Sequence, residues 1–155
     1  MPRVLTSTDL ADFREKLISA ASRIFAEKGR EGFTMREVAG ALGVSAMTPY
    51  RYFKDKEEIL AAVRAAAFDR FSDALEHAFA SQNDPGERGA AVGQAYVHFA
   101  FNEPASYKLM FDMTQPEETT YPELAKATTR ARSTMTDYVR GLVKAGLLEG
   151  DPVLM

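Results

Sequence analysis

Two short helical segments joined by a tight turn constrain this chain more than any other feature of its sequence. The first begins at Thr34-Met35-Arg36-Glu37, a Thr-x-x-Glu capping box in which hydroxyl and carboxylate satisfy free backbone amides. It ends at Gly43, and after Val44-Ser45 a second short segment covers residues 46–53. Two short helices separated by a glycine-containing turn are typical of a helix-turn-helix.

The rest of the chain shows helical periodicity and no strand signal. Apolar residues recur at spacings of three and four, which indicates helices over residues 9–26, 55–80, 88–102, 105–113 and 122–145. Gly29 is suited to the position just past the first helix, and Asp55 to the cap of the long one. The polar stretches 81–86 and 114–120 are predicted loops. The sequence therefore predicts an all-α fold: a three-helix head, residues 1–54, joined by a long helix to a helical body within residues 55–155.

Composition limits the classes of function. Of the 155 residues, 46% are hydrophobic and 26% charged, as in ordinary globular proteins, and no apolar run approaches the roughly 18 residues of a membrane span. Without a secretory signal at its start, the chain is expected in the cytoplasm. It has no Cys and only two His, His77 and His98, far apart. We therefore predict no catalytic residues, no metal and no cofactor.

Charge is distributed unevenly along the chain. Residues 1–64 hold 11 Lys and Arg against 9 Asp and Glu, whereas the remainder holds 8 against 13. DNA affinity depends on local cations rather than on net charge, so the mildly basic head of an acidic protein is compatible with DNA binding.

The segments 34–39, 42–45 and 50–60, taken in this order, resemble the DNA-binding head of the TetR family of transcriptional regulators, over roughly residues 13–64. The helical body is similar to the sensor region of that family. The resemblance implies a homodimeric repressor that binds a palindromic double-stranded DNA operator and is released by a small-molecule effector.

Residue by residue, the resemblance implies a base contact for Arg36, whose guanidinium could reach guanine bidentately. Small or apolar groups at Ala46 and Met47 suit a thymine methyl, and hydroxyls or cations nearby would hold phosphates. Arg51 could point either to DNA or to solvent, and Phe53 is expected in the core. The expected DNA contacts are Thr34, Arg36, Ala46, Met47, Thr48, Tyr50, Arg51, Tyr52 and Lys56.

Met47 and Pro49 depart from the family pattern of glycine and a branched aliphatic. Proline lacks an amide hydrogen and clashes inside a helix. If Ser45 is the cap, Pro49 falls where the first helical hydrogen bond is needed. If Thr48 is the cap, Pro49 takes the favoured first position and the recognition helix is shorter, which is the alternative we favour.

The body is rich in aromatic residues and methionine. These residues either form an ordinary core or line an apolar effector pocket with a few polar groups, for which His98, Asn102 and Glu103 are the candidates. His77 is expected to be exposed. The predicted ligand contacts are Phe68, Phe71, Tyr96, Phe99, Glu103, Tyr107, Met110, Phe111, Met135 and Tyr138.

Dimerisation is less clearly encoded. Family members commonly continue into further helices that form most of the dimer contact, so we expect the chain to be truncated at its carboxyl end. If it is complete, other surfaces must form the dimer. Two alternative functions follow from the sequence: a small-molecule or protein-binding helical module that has lost sequence-specific DNA recognition, and an enzyme acting on a ligand bound in the body.

Overall fold

A computed structural model describes residues 4–112 and 118–150. It confirms the all-α prediction, and these residues contain no strand. The helices are α1 (Ser7–Gly32), α2 (Met35–Ala41), α3 (Lys56–Ala80), α4 (Pro85–Asn102), α5 (Pro104–Met110) and α6 (Pro122–Lys144), with 3₁₀ turns at Pro49–Arg51 and Glu118–Thr120.

The first helix is longer than predicted. A capping box starts it, because the Thr6 side chain accepts from the Asp9 amide while the Asp9 carboxylate accepts from the Thr6 amide at 2.9 Å. The regular helix breaks at Gly29, whose φ of 69° and ψ of −175° lie in a region that only glycine adopts readily. One further turn then brings the chain to Phe33, which is buried.

The second helix begins at the predicted cap. Thr34 Oγ1 accepts from the Glu37 amide at 3.2 Å. The Glu37 carboxylate accepts from the Thr34 hydroxyl at 3.1 Å and forms an ion pair with Lys28 of α1. Glu37 therefore links α2 to α1 and does not form the reciprocal capping bond to a backbone amide that we predicted. Gly43 ends the segment with a φ of 65°, a left-handed conformation that costs other residues about 1–2 kcal/mol.

The third helix spans the division of the chain into two compact units, which falls at Arg64. Asp55 caps it as expected, since its Oδ1 accepts from the Glu58 amide at 2.9 Å. The sequence placed the division near residue 54, ten residues earlier. The first turns of α3 lie with the head because Ile59 and Leu60 are fully buried there.

The body contains the later turns of α3 together with α4, α5 and α6. Asp84 caps α4 by accepting from the amides of Gly86 and Glu87, so the predicted loop 81–86 is shorter and α4 begins at Pro85 rather than at 88. Pro104 opens α5 and Pro122 opens α6, at the first helical position that suits proline. Residues 113–117, in the predicted helix end and loop, lie outside the described residues. The largest fully buried side chains here are Leu75, Leu109, Met110 and Leu124.

Among the helices described, none is both long enough and apolar enough to cross a membrane.

Candidate nucleic-acid interface and body groove

The second short segment of the head is a single 3₁₀ turn, Pro49–Arg51, which we name the recognition turn. The second segment was predicted within residues 46–53, with a shorter recognition helix beginning at Pro49 as the favoured alternative, and the structure has this shorter form. Pro49 has no amide hydrogen with which to bond the Ser45 carbonyl, and the Thr48 amide bonds that carbonyl instead, at 2.9 Å. Pro49 occupies the first helical position, as favoured above, although the Thr48 side chain forms no capping bond.

The recognition turn is held by short-range bonds and by burial. The Arg51 amide donates to the Thr48 carbonyl at 3.1 Å, and the Tyr52 amide to the Pro49 carbonyl at 3.0 Å. Ser45 Oγ accepts from the Met47 amide at 3.3 Å, which fixes the preceding turn. The Pro49 side chain is fully buried, so the same residue that shortens the recognition segment also anchors it to the head.

Most of the predicted DNA contacts are exposed on the head. Met47 is 66% exposed and Tyr50 47% exposed, although both are large and largely apolar. Other exposed members of the set are Thr34, Arg36, Ala46 and Arg51. The segment from Ser45 to Arg51 thus presents to solvent most of its side chains that were predicted to contact DNA.

Three members of the predicted set are less available. The Tyr52 ring packs on Phe13 with centroids 5.2 Å apart, and Thr48 is half-buried. Lys56 Nζ donates to the Arg30 carbonyl at 2.7 Å and lies 5.9 Å from the centre of the Phe33 ring. A phosphate contact by Lys56 would use its remaining donors.

Two carboxylates of the head, those of Glu37 and Glu57, form ion pairs with cations of α1. The hydrogen bond between Lys28 and Glu37 lowers the pKa of Glu37 and raises the pKa of Lys28. Arg30 binds Glu57 with one guanidinium nitrogen, at 2.8 and 2.7 Å to the two carboxylate oxygens. Both pairs join α1 to the helices that follow it.

The aromatic residues predicted to line an effector pocket pack mainly on one another. Phe71 lies edge-on to Tyr96 and to Phe99, each at 5.3 Å between centroids. The Tyr96 and Tyr107 hydroxyls are 2.8 Å apart, and this hydrogen bond together with burial raises the pKa of Tyr96 to about 12. Tyr107 in turn packs on Phe111 at 4.9 Å. The cluster is therefore close-packed, with Phe71 and Phe99 buried and Phe111 47% exposed, and a ligand contact by its members stays a prediction.

The remaining members of that set are distributed around the same core. Phe68 and Met110 are buried, and the Phe68 ring lies edge-on to the Phe111 ring with centroids 6.1 Å apart. Met135 and Tyr138 are half-buried on α6.

An open groove of about 1170 Å³ lies between α3 and α4. Of the predicted ligand residues it contains only Phe99 and Glu103, and it also contains the polar candidates His98 and Asn102. Sequence reasoning missed Arg70, which lines the groove from α3. The sequence offers no distinct signal for it, because Arg70 is one of several charged residues in α3.

Arg70 and Glu103 form the charged part of this groove. Arg70 Nη2 lies 2.6 Å from Glu103 Oε2 and 3.3 Å from the Ser106 hydroxyl. The Arg70 guanidinium lowers the pKa of Glu103, so the carboxylate stays ionised. This region of the groove is therefore polar but electrically balanced.

Family profiles match both parts of the chain. The profile described as bacterial regulatory proteins, tetR family, matches residues 17–63, and the tetracyclin repressor-like carboxy-terminal domain matches residues 89–155. The transcriptional activator FasR of Mycolicibacterium smegmatis is 28% identical over 130 residues, 84% of this chain and 58% of that protein. The regulator BetI of Rhizobium meliloti is 27% identical over 135 residues, 85% of this chain and 66% of that protein. The chain thus spans less than two thirds of both relatives.

Solved structures share the fold. A Rhodococcus protein of unknown function superposes with a TM-score of 0.79 at 25% identity, covering 98% of this chain and 76% of its own. A TetR/AcrR-family regulator from Thermobifida fusca superposes with a TM-score of 0.70 at 25% identity. The match covers 92% of this chain and 77% of that protein. The regulator FadR of Bacillus subtilis, solved with stearoyl-CoA, gives 0.72 at 19% identity, covering 90% and 77%, and shows likeness of fold alone.

Proposed function

The chain belongs to the tetR family of bacterial regulatory proteins, and on that premise we propose that it is a cytoplasmic, ligand-responsive transcriptional regulator without catalytic activity. It binds a palindromic operator as a dimer, and a small-molecule effector releases it. The observation that carries the proposal is the exposed recognition turn, presented by a buried proline beside the exposed start of α2.

In the proposed complex, Arg36 and the residues in and before the recognition turn contact different parts of the DNA. Arg36, on the first turn of α2, pairs with a guanine edge. Ala46 and Met47 offer apolar surface to thymine methyls, while Tyr50 and Arg51 hold phosphates on either side. Because phosphate contacts displace counterions, binding weakens steeply as salt rises.

Effector response would pass through α3, since this one helix begins in the head and lines the body groove with Arg70. A ligand that prefers one arrangement of the body shifts the population toward it by its difference in affinity for the two arrangements. The groove and the aromatic cluster beside it, which share Phe99, are the proposed effector region.

A second function is favoured by one observation. The recognition turn offers less surface than a full recognition helix, because it spans only the three residues Pro49–Arg51. A helical binding module that has lost sequence-specific recognition would tolerate this shortening.

Selection from a random duplex library at physiological salt separates the two functions. The regulator enriches a palindrome, and Arg36→Gln relaxes preference at one position of each half-site, by the roughly 5- to 150-fold expected of a bidentate guanine contact. Arg140→Gln, an exposed arginine on α6, serves as the matched control and should change nothing. Salt-dependent binding without an enriched sequence would instead support the binding module.

A further inference from the structure

Methionine is the only sulfur-containing residue of this protein, because the sequence has seven Met and no Cys that would compete for an oxidant. A thioether accepts an oxygen atom only where the oxidant can reach the sulfur. Met35 and Met110 are buried, and Met135 is half-buried. Met47 is 66% exposed, and it is the one exposed methionine in the part of the chain that the structure describes. Among these residues, oxidation should therefore begin at Met47.

The backbone holds Met47 in a defined turn while its side chain lies in solvent. Its amide donates to Ser45 Oγ at 3.3 Å, and its carbonyl accepts from the Tyr50 amide at 3.2 Å. Pro49, two residues later, is buried and anchors the same segment to the head. A chemical change at the end of the Met47 side chain therefore leaves the fold in place and alters the surface that this segment presents.

That surface is the one to which the proposed function assigns DNA contacts. Ala46 precedes Met47, and Tyr50 and Arg51 follow it in the recognition turn, all of them exposed. Met47 is assigned an apolar contact with a thymine methyl, a contact that covers its sulfur. An oxidant thus has access to the sulfur in the free protein and loses it in the complex with DNA.

We propose that Met47 is a reversible oxidation site whose sulfoxide weakens operator binding, and that the oxidant is a peroxide. The thioether sulfur attacks one oxygen of hydrogen peroxide, so an S–O bond forms and the O–O bond breaks. The proton on the transferred oxygen passes to the departing hydroxide, which leaves as water. Sulfur loses two electrons and the peroxide gains them. This inference rests on the proposed function, since it names a regulation of the same DNA surface.

The sulfoxide acts on binding through its polarity. Oxidation converts a flexible apolar side chain into a polar and chiral one. Against a thymine methyl the new oxygen is removed from water and gains no hydrogen bond, which costs free energy. Operator affinity should fall by roughly fivefold or more, the low end of the cost of burying such a polar group.

Peptide mapping by mass spectrometry, after brief treatment of the full chain with hydrogen peroxide, tests the site. Met47 should become sulfoxide faster than Met35, Met110 and Met135. The duplex enriched in the library selection should slow the conversion of Met47, because it covers the sulfur. The proposal is overturned if Met47 reacts no faster than the buried methionines, or if the duplex gives it no protection.

Operator affinity tests the consequence, as the ratio of dissociation constants for treated and untreated protein. The parent should show a ratio of about five or more, and methionine sulfoxide reductases with dithiothreitol should abolish the difference. In that repair, dithiothreitol supplies the two electrons and the oxygen leaves as water. Met47→Leu retains an apolar side chain without sulfur, so treatment should leave its affinity, whatever its untreated value, unchanged. Met135→Leu, the matched control on α6, should keep the ratio of the parent.

The controls separate this inference from its alternatives. An equal loss in Met47→Leu assigns the effect to another residue and overturns the proposal, as does a parent that keeps its affinity once Met47 is oxidised. A treated parent that melts at a lower temperature than the untreated one assigns the loss to unfolding, which also overturns it. Failure of the proposed function gives a different result, since the untreated protein then enriches no palindrome and the regulatory role of Met47 falls with it.

Discussion

Arg130 on α6 contacts three carboxylates of α3, and its replacement by Met should destabilise the body. Its guanidinium binds Glu76 bidentately, at 3.0 and 2.6 Å. It also lies 2.6 Å from Asp73 and 3.3 Å from Asp69. These carboxylates follow one face of α3 at spacings of four and three residues, so removing the cation also exposes them to mutual repulsion.

The size of the effect follows from geometry and exposure. Arg130 is about one third exposed, and ordinary exposed ion pairs contribute about 0–1 kcal/mol. The bidentate pair with Glu76 contributes near the top of that range, and the contacts with Asp73 and Asp69 contribute less. Without Arg130, each repulsion between like charges at these helix spacings lowers the stability further, by about 0.2–0.5 kcal/mol. We expect Arg130→Met to lower the unfolding free energy by about 2 kcal/mol, or the melting temperature by about 4–8 °C for a chain of this length. Met retains much of the aliphatic stem, so lost packing contributes little.

Thermal unfolding at low salt measures this loss of stability, and repeating the measurement at lower pH provides a second test. The Arg130 hydrogen bonds lower the pKa of Glu76 below its usual 4.5. The resulting stabilisation is present above pH 4.5 and is lost as the pH falls through the lowered folded value. The difference between the parent and Arg130→Met should therefore narrow in acid.

Arg140→Met is the matched control, because Arg140 pairs with Asp137 at i,i+3 on the surface of α6. The reasoning fails if Arg130→Met costs no more than Arg140→Met at neutral pH. It also fails if the gap between parent and Arg130→Met persists unchanged in acid.

Three further changes probe local structure. Thr34→Ala removes the cap of α2 and should cost about 1 kcal/mol in chemical denaturation, whereas Thr34→Ser should retain most of it; equal losses would contradict the cap. Gly43→Ala meets no atom but forces a left-handed alanine, so a melt should show about 1–2 kcal/mol of destabilisation, and an unchanged melt would refute strain as the cause. Tyr107→Phe removes the hydroxyl that raises the pKa of Tyr96 to about 12, so tyrosinate absorbance should show that pKa moving down toward 10; an unmoved transition would rule out the hydroxyl pair.

Local signals in the sequence predicted the elements of the fold well. Asp55 and Pro122 mark helix starts, and Gly43 a helix end, because a cap, a missing amide or a left-handed φ acts within one turn of chain. Pro49 was correctly placed at a first helical position for the same reason. A shorter recognition segment was also predicted, but not its reduction to a single 3₁₀ turn, because tertiary packing overrides local helix propensity.

Contacts between distant residues were not predictable in the same way. Arg70 and Glu103 are 33 residues apart, and Arg130 and Glu76 are 54 apart. Which charged residues meet depends on how the helices pack, and periodicity does not determine packing. The ligand set shows the same limit: composition left the aromatic residues of the body as either core or pocket lining, and which of them contact one another depends on how the helices pack.

In the body, three faces of α3 make different contacts. Arg70 faces the groove, Phe71 packs in the aromatic core, and Asp69 and Asp73 hold Arg130 of α6. Residues within one short stretch of α3, from Asp69 to Asp73, thus contact the groove, the aromatic cluster and α6. In the proposed function, a ligand bound in the groove shifts the population toward the arrangement of these contacts that it prefers. The same helix begins at the Asp55 cap in the head, which is why the proposed function assigns the effector response to α3.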